Sequence, residues 1–126
     1  MTAQLTKLGI LPGARWSVVD APPGFSFEES PDAAAEVPAG SPADVVVAFV
    51  HAAADIPTIL HRYERAIFPA GALWIAWPRR AGGHQSDITE NAVRDAALAR
   101  SLVDVKVAAI NENWSGLKLV WRRSAR

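Results

Sequence analysis

Six residues of this chain combine a reactive type with a place where chemistry could be done: Asp20, Gly24, His51, Arg79, Arg80 and Trp114. Asp20 and Gly24 belong to the turn Asp20-Ala21-Pro22-Pro23-Gly24-Phe25. A turn after the first strand of an α/β sheet grips a ligand when glycines let the backbone come close and N–H groups point at it. Only Gly24 offers that approach, and Pro22 and Pro23 bring no N–H. His51 ends an apolar run, where an imidazole can act as a general base or serve as a hydrogen-bonded structural residue. Arg79 and Arg80 follow a second apolar run, beside Gly82 and Gly83. Paired guanidinium groups there can clamp a carboxylate or a phosphate. Trp114 lies in the polar stretch Asn111 to Gly116, where a ring can anchor a partner, line a cleft or fold back over the core.

Other combinations are weaker. Ser86 and Asp87 look reactive as a pair, but Asp87 with Glu90 fits a helix N-terminus, and no base is spaced to activate the serine. His51, His61 and His84 are too dispersed for a metal site, and no His-x-x-x-His pair exists. With no cysteine there is neither a disulfide scaffold nor a thiolate site, which suits a reducing compartment. Apolar runs such as Val45 to Val50 are far too short to span a bilayer, and Met1 to Gly9 lacks a signal-peptide pattern. A cytoplasmic location is the expectation.

The net charge is zero but unevenly spread. Residues 21–57 carry six acids and no Lys or Arg, whereas residues 64–126 carry ten Lys or Arg against six acids. The near-neutral pI of about 6.8 argues against nucleic acid. The asymmetry fits either two solvated faces of a neutral protein or a surface for a charged partner; the expected partners are a protein or a small anionic ligand, with self-association open.

The elements that must position these residues follow from pattern. Length predicts one domain over 1–126, with 1–14 as a lead-in. Arg15 to Asp20 reads as a strand, Phe25 to Ser30 as a short helix, and Ala35 to Val37 as a short second strand. Asp44 to Val50 and Ala72 to Trp77 are apolar at nearly every position, the pattern of strands covered on both faces. This places Trp74 and Trp77 in the core on opposite faces. Between them a helix capped by Asp55, with Pro57 in its first turn, aligns Ile59, Leu60, Tyr63 and Ile67. A polar loop over 78–86 leads to a helix from Ile88 to Arg100, with Asp87 as cap. Val105 to Ile110 and Leu117 to Arg122 form a hairpin across Asn111 to Gly116. Alternating strands and helices predict an α/β fold with a mainly parallel sheet and a C-terminal antiparallel hairpin.

Asp44 to Val50, the helix after it, and Phe68-Pro69-Ala70-Gly71-Ala72-Leu73-Trp74-Ile75 resemble the fourth strand, following helix and fifth strand of class I, Rossmann-like methyltransferases. There a Leu-x-Pro-Gly-Gly turn precedes the fifth strand. More closely, the chain is similar to a family of small bacterial proteins of unknown function with a shortened methyltransferase-like domain. That similarity rests on Ala21-Pro22-Pro23-Gly24-Phe25, Leu73 to Arg79, Ser86 to Thr89, and Leu102 to Lys118. The resemblance implies a fold but supplies no catalytic residues. In the wider family an acid at the end of the second strand binds the ribose, and the nearest acid here is Glu36. An intact scaffold without the glycine-rich turn leads to the expectation of a non-catalytic binding module with no cofactor. A small S-adenosylmethionine-dependent methyltransferase with an altered site is the alternative.

Overall fold

The all-apolar runs do form the centre of the sheet. In a computed structural model describing residues 3–80 and 85–126, six strands are laid out in the order β2-β1-β3-β4-β6-β5. They are β1 (Arg15–Val19), β2 (Ala35–Glu36), β3 (Val45–Phe49), β4 (Ala72–Pro78), β5 (Leu102–Ala109) and β6 (Trp114–Trp121). β1 to β4 pair in parallel, and β6 runs against both β4 and β5. The helices are α1 (Gln4–Leu8), α2 (Ile56–Tyr63) and α3 (Glu90–Leu98). The expected mixed α/β architecture is therefore present, down to the short second strand and the antiparallel last strand.

Every residue of β3 is buried, because helices or loops cover both faces. On one face α2 and α3 pack Ile59, Leu60, Val93 and Ala97 against Val46, Leu73 and Ile75. Each fully buried Val, Leu or Ile among them contributes about 1.5–3 kcal/mol of transfer free energy. The opposite face holds Leu8, Trp16, Val47, Phe49 and Trp74, under α1 and the loop before β2. Trp74 and Trp77 lie in these two separate clusters, as the strand alternation requires. The Trp74 Nε1–H is satisfied by the Leu8 carbonyl at 3.0 Å.

Some boundaries differ from expectation. The lead-in contains α1, ended by Gly9 at φ 87°, with Ile10 N–H bonded to Leu5 O and Gly9 N–H to Thr6 O. Phe25 to Ser30 is not helical. Asp87 does not cap α3: Thr89 does, accepting from Ala92 N–H at 3.1 Å, while Asp87 accepts from Ala53 N–H at 2.9 Å. Asp55 stands at the N-cap of α2 but makes no side-chain cap bond. The hairpin turn is shorter, because the Asn111 side chain accepts from the Asn113 and Trp114 N–H groups at 2.8 and 3.0 Å. Trp114 thereby enters β6 as its first residue. Gly82, Gly83 and His84 lie outside the described residues.

Two glycines are fixed by contact. A Cβ on Gly71 would meet the Ala43, Asp44 and Ile67 carbonyl oxygens at 2.9–3.0 Å, so the turn before β4 admits no side chain. A Cβ on Gly116 would meet Ile110 Cδ1 at 2.7 Å and Trp74 Cε3 at 3.0 Å.

Candidate functional site

The chain leaves β1 outward to β2 and leaves β3 in the other direction to β4. A crevice opens outside the carboxyl ends of β1 and β3, the place where open α/β sheets take ligands. Asp20, directly after β1, adopts φ 54°, a left-handed conformation that Asp tolerates better than most residues. The turn closes with Phe25 N–H bonded to Pro22 O at 3.0 Å and Gly24 at φ 78°. Gly24 is thus required by the turn's conformation rather than by close packing, since a Cβ there would meet nothing within 4 Å.

Among the described residues no helix follows this turn before β2. Aromatic rings cover the sheet face instead. Trp16 meets Phe27 edge-on at 5.3 Å, Phe27 meets Phe25 at 5.4 Å, and Phe25 meets Phe49 at 4.9 Å. Phe49 meets Trp114 at 4.9 Å, and Trp114 meets the His51 ring at 5.2 Å. Edge-to-face pairs of this kind add about 0.5–1.5 kcal/mol each beyond burial. The loop is also tied down by polar bonds. Glu29 accepts from Leu5 N–H at 2.8 Å, and Gln4 receives Glu28 N–H at 2.7 Å while donating to Ile110 O at 2.7 Å.

Three hollows surround this arrangement. The largest, about 630 Å³, lies against β1 and the end of β2. Trp16, Val18, Phe25 and Phe27 form its apolar wall, and Glu28, Glu29 and Glu36 its charged one. A second, about 240 Å³, sits between the ends of β1 and β3 and α2, and brings together Asp20, His51, Asp55, Thr58 and Arg62. A third, about 330 Å³, runs between Gly24 and Trp114, with Asn111 and Asn113 on its rim.

The residues singled out in the sequence are therefore brought together in pairs. Asp20 joins His51, and Gly24 joins Trp114. Trp114 is buried, so it is part of the wall rather than a projecting anchor. Arg79 and Arg80 do not form a clamp among the described contacts. Arg79 binds the hairpin through its N–H to Asn113 O at 2.8 Å and its Nη1 to Asn111 O at 3.3 Å. Arg80 faces another hollow, beside Ile88 and Ser115. Sequence reasoning passed over Asp55, Thr58 and Arg62 as crevice residues. It also passed over the loop aromatics, whose irregular segment carries no periodicity to reveal their facing. Among the described residues no cluster of His, Asp and Glu is arranged to hold a metal, and no helix is long and apolar enough to cross a membrane.

The clearest displaced ionisation lies away from the crevice. Arg94, on α3, hydrogen-bonds the Asp104 carboxylate at 2.9 Å and also reaches Glu90. The Arg94 hydrogen bond holds Asp104 below the ordinary carboxylate range.

No protein-family model matches the sequence, and no curated protein matches it. Solved structures do. The Bacillus subtilis tRNA methyltransferase TrmK (M1A22) shares 11% identity at a TM-score of 0.57, with 97% of this chain and 67% of that one covered. The Methanococcus jannaschii fibrillarin pre-rRNA processing protein shares 12% at 0.58, with 89% and 68% covered. The O-methyltransferase NcsB1 of neocarzinostatin biosynthesis shares 14% at 0.55, and there the match covers 72% of this chain and 34% of that one. The chain thus spans about two thirds of the first two and a third of the last. At these identities the likeness is one of fold: Rossmann-like, of the methyltransferase type. The NcsB1 structure is a complex with S-adenosylmethionine. The expectation of no cofactor, drawn from the missing glycines, is corrected by that finding, because this same fold carries the cofactor there.

Proposed function

We propose that this chain is a small S-adenosylmethionine-binding domain of the methyltransferase type with an atypical cofactor site. The observation that carries the reading is Glu36. It is the last residue of β2 and lines a cavity of about 630 Å³ at the edge of the crevice. That volume falls within the roughly 300–1,000 Å³ of ordinary ligand sites. A carboxylate at the end of the second strand can accept both hydroxyls of a ribose. The rings of Trp16, Phe25 and Phe27 offer the apolar wall that an adenine needs. The bound cofactor would supply a methyl group on a sulfonium. His51, exposed beside Asp20 in the neighbouring hollow, would take the proton of an acceptor hydroxyl or amine.

Solved structures of the same fold favour this reading over a non-catalytic module. Membership in the small bacterial family with a shortened methyltransferase-like domain is part of the proposal and agrees with the single short β2 and the helix-free turn. The test is thermal unfolding with S-adenosylmethionine, for the wild type and for Glu36→Gln. Ligand at about 100 times its dissociation constant adds roughly 2.7 kcal/mol, a shift of several degrees in a domain of this size. Glu36 is exposed, so the variant should fold unchanged while binding falls about 10–100-fold through loss of a charged acceptor. No shift at millimolar ligand, or equal affinity in the variant, would sink the reading.

A further inference from the structure

We infer that the cavity against β1 and β2 recognises its ligand through an uncharged or cationic nucleoside alone, leaving an amino-acid arm ungripped and excluding nucleotides. This rests on the site proposed above. An arm ending in a carboxylate, or a phosphate, is ordinarily held by backbone N–H groups of a turn and by the N-terminus of the helix that follows. Here the first device is reduced and the second is missing. Pro22 and Pro23 have no N–H, and the Phe25 N–H is already bonded to Pro22 O. The segment from the turn to β2 contains no helix among the described residues.

Charge points the same way. Glu28, Glu29 and Glu36 line the cavity, and no Lys or Arg lines it among the described residues. Arg15, on the adjoining strand, is paired with Asp44. Carboxylates on one wall attract a sulfonium and repel a phosphate. The apolar rings and the ribose-facing carboxylate remain as the recognition elements, and they read only the nucleoside.

Isothermal titration of the full chain with four compounds tests this: S-adenosylhomocysteine, 5′-methylthioadenosine, adenosine and AMP. Each charged group held by hydrogen bonds contributes roughly tenfold or more to affinity. The expected result is that S-adenosylhomocysteine and 5′-methylthioadenosine bind within about threefold of each other, because the arm makes no such bonds. AMP should bind at least about tenfold more weakly than adenosine, from repulsion by the acidic wall. S-adenosylhomocysteine binding about thirtyfold or more tightly than 5′-methylthioadenosine would overturn the inference while leaving the cofactor site itself standing. AMP matching adenosine would also overturn it. Failure of all four to bind would overturn both the inference and the site on which it rests.

Discussion

Replacing Gly116 by alanine should destabilise the fold through one identifiable collision. The new methyl would lie 2.7 Å from Ile110 Cδ1 and 3.0 Å from Trp74 Cε3. Neither wall yields easily. Both residues are fully buried, and the Trp74 indole is held by its bond to the Leu8 carbonyl. Overpacking of this kind costs about 1–3 kcal/mol. Against it stands about 0.4–1 kcal/mol gained because alanine has fewer unfolded conformations than glycine. The net loss is roughly 1–2 kcal/mol, and at some 3–5 °C per kcal/mol the melting point should fall by about 3–10 °C. Near-ultraviolet circular dichroism would follow the unfolding, since Trp74 reports the affected face. A second substitution isolates the cause. Ile110→Val deletes the Cδ1 atom that makes the closest contact. On its own it costs about 0.5–1.5 kcal/mol. Combined with Gly116→Ala it should cost nothing further, so that the double variant melts no lower than Gly116→Ala alone, a coupling of about 1 kcal/mol. A Gly116→Ala protein that melts with the wild type, or a double variant whose losses simply add, would refute the packing argument.

Gly71→Ala should be worse, about 3 kcal/mol or more, because three backbone carbonyls crowd the position and no rotamer can relieve them; a denaturant midpoint that falls less than that of Gly116→Ala would contradict this. Thr89→Ala should cost about 1 kcal/mol and speed hydrogen exchange at the Ala92 amide, whereas Asp87→Ala should speed exchange at Ala53 and spare α3. Asp104 is held below its ordinary range chiefly by the Arg94 hydrogen bond. Its contribution is therefore complete above the unfolded carboxylate value of about pH 4 and is lost as pH falls through the lower folded value. Melting curves of the wild type and Asp104→Asn should converge in acid and separate above about pH 4. Curves that separate only in acid would reverse the sign.

The sheet was legible because burial on both faces writes itself into composition. Val45 to Phe49 and Ala72 to Trp77 have no polar position that could face water, and both became central strands. α1 was not legible, because five residues carry too little periodicity and Gly9 reads equally well as any turn. The hairpin was misplaced because a single side chain, Asn111, takes over two backbone donors and lets Trp114 join the strand early. Competition decided the start of α3 as well, where Thr89 displaced the Asp87-Glu90 pattern. The strand ends around the candidate site were visible from pattern alone, whereas Glu36 was named only through the family resemblance. The large cavity was not, because its wall is an irregular loop whose rings are positioned by tertiary contacts with Phe49 and Gln4 rather than by any local repeat.

The two outer strands bear on how the protein behaves in a crowded solution. β2 is only two residues long, and β5 changes register between Asp104 and Lys106. An incoming strand needs a long, regular row of free N–H and C=O groups, and neither border supplies one. On β5 the exposed side chains of Val105 and Val107 would invite another chain, but the charged Lys106 stands between them and reaches back to the Lys7 carbonyl. The short β2 thus borders the acidic cavity and at the same time offers almost no edge on which a further strand could pair.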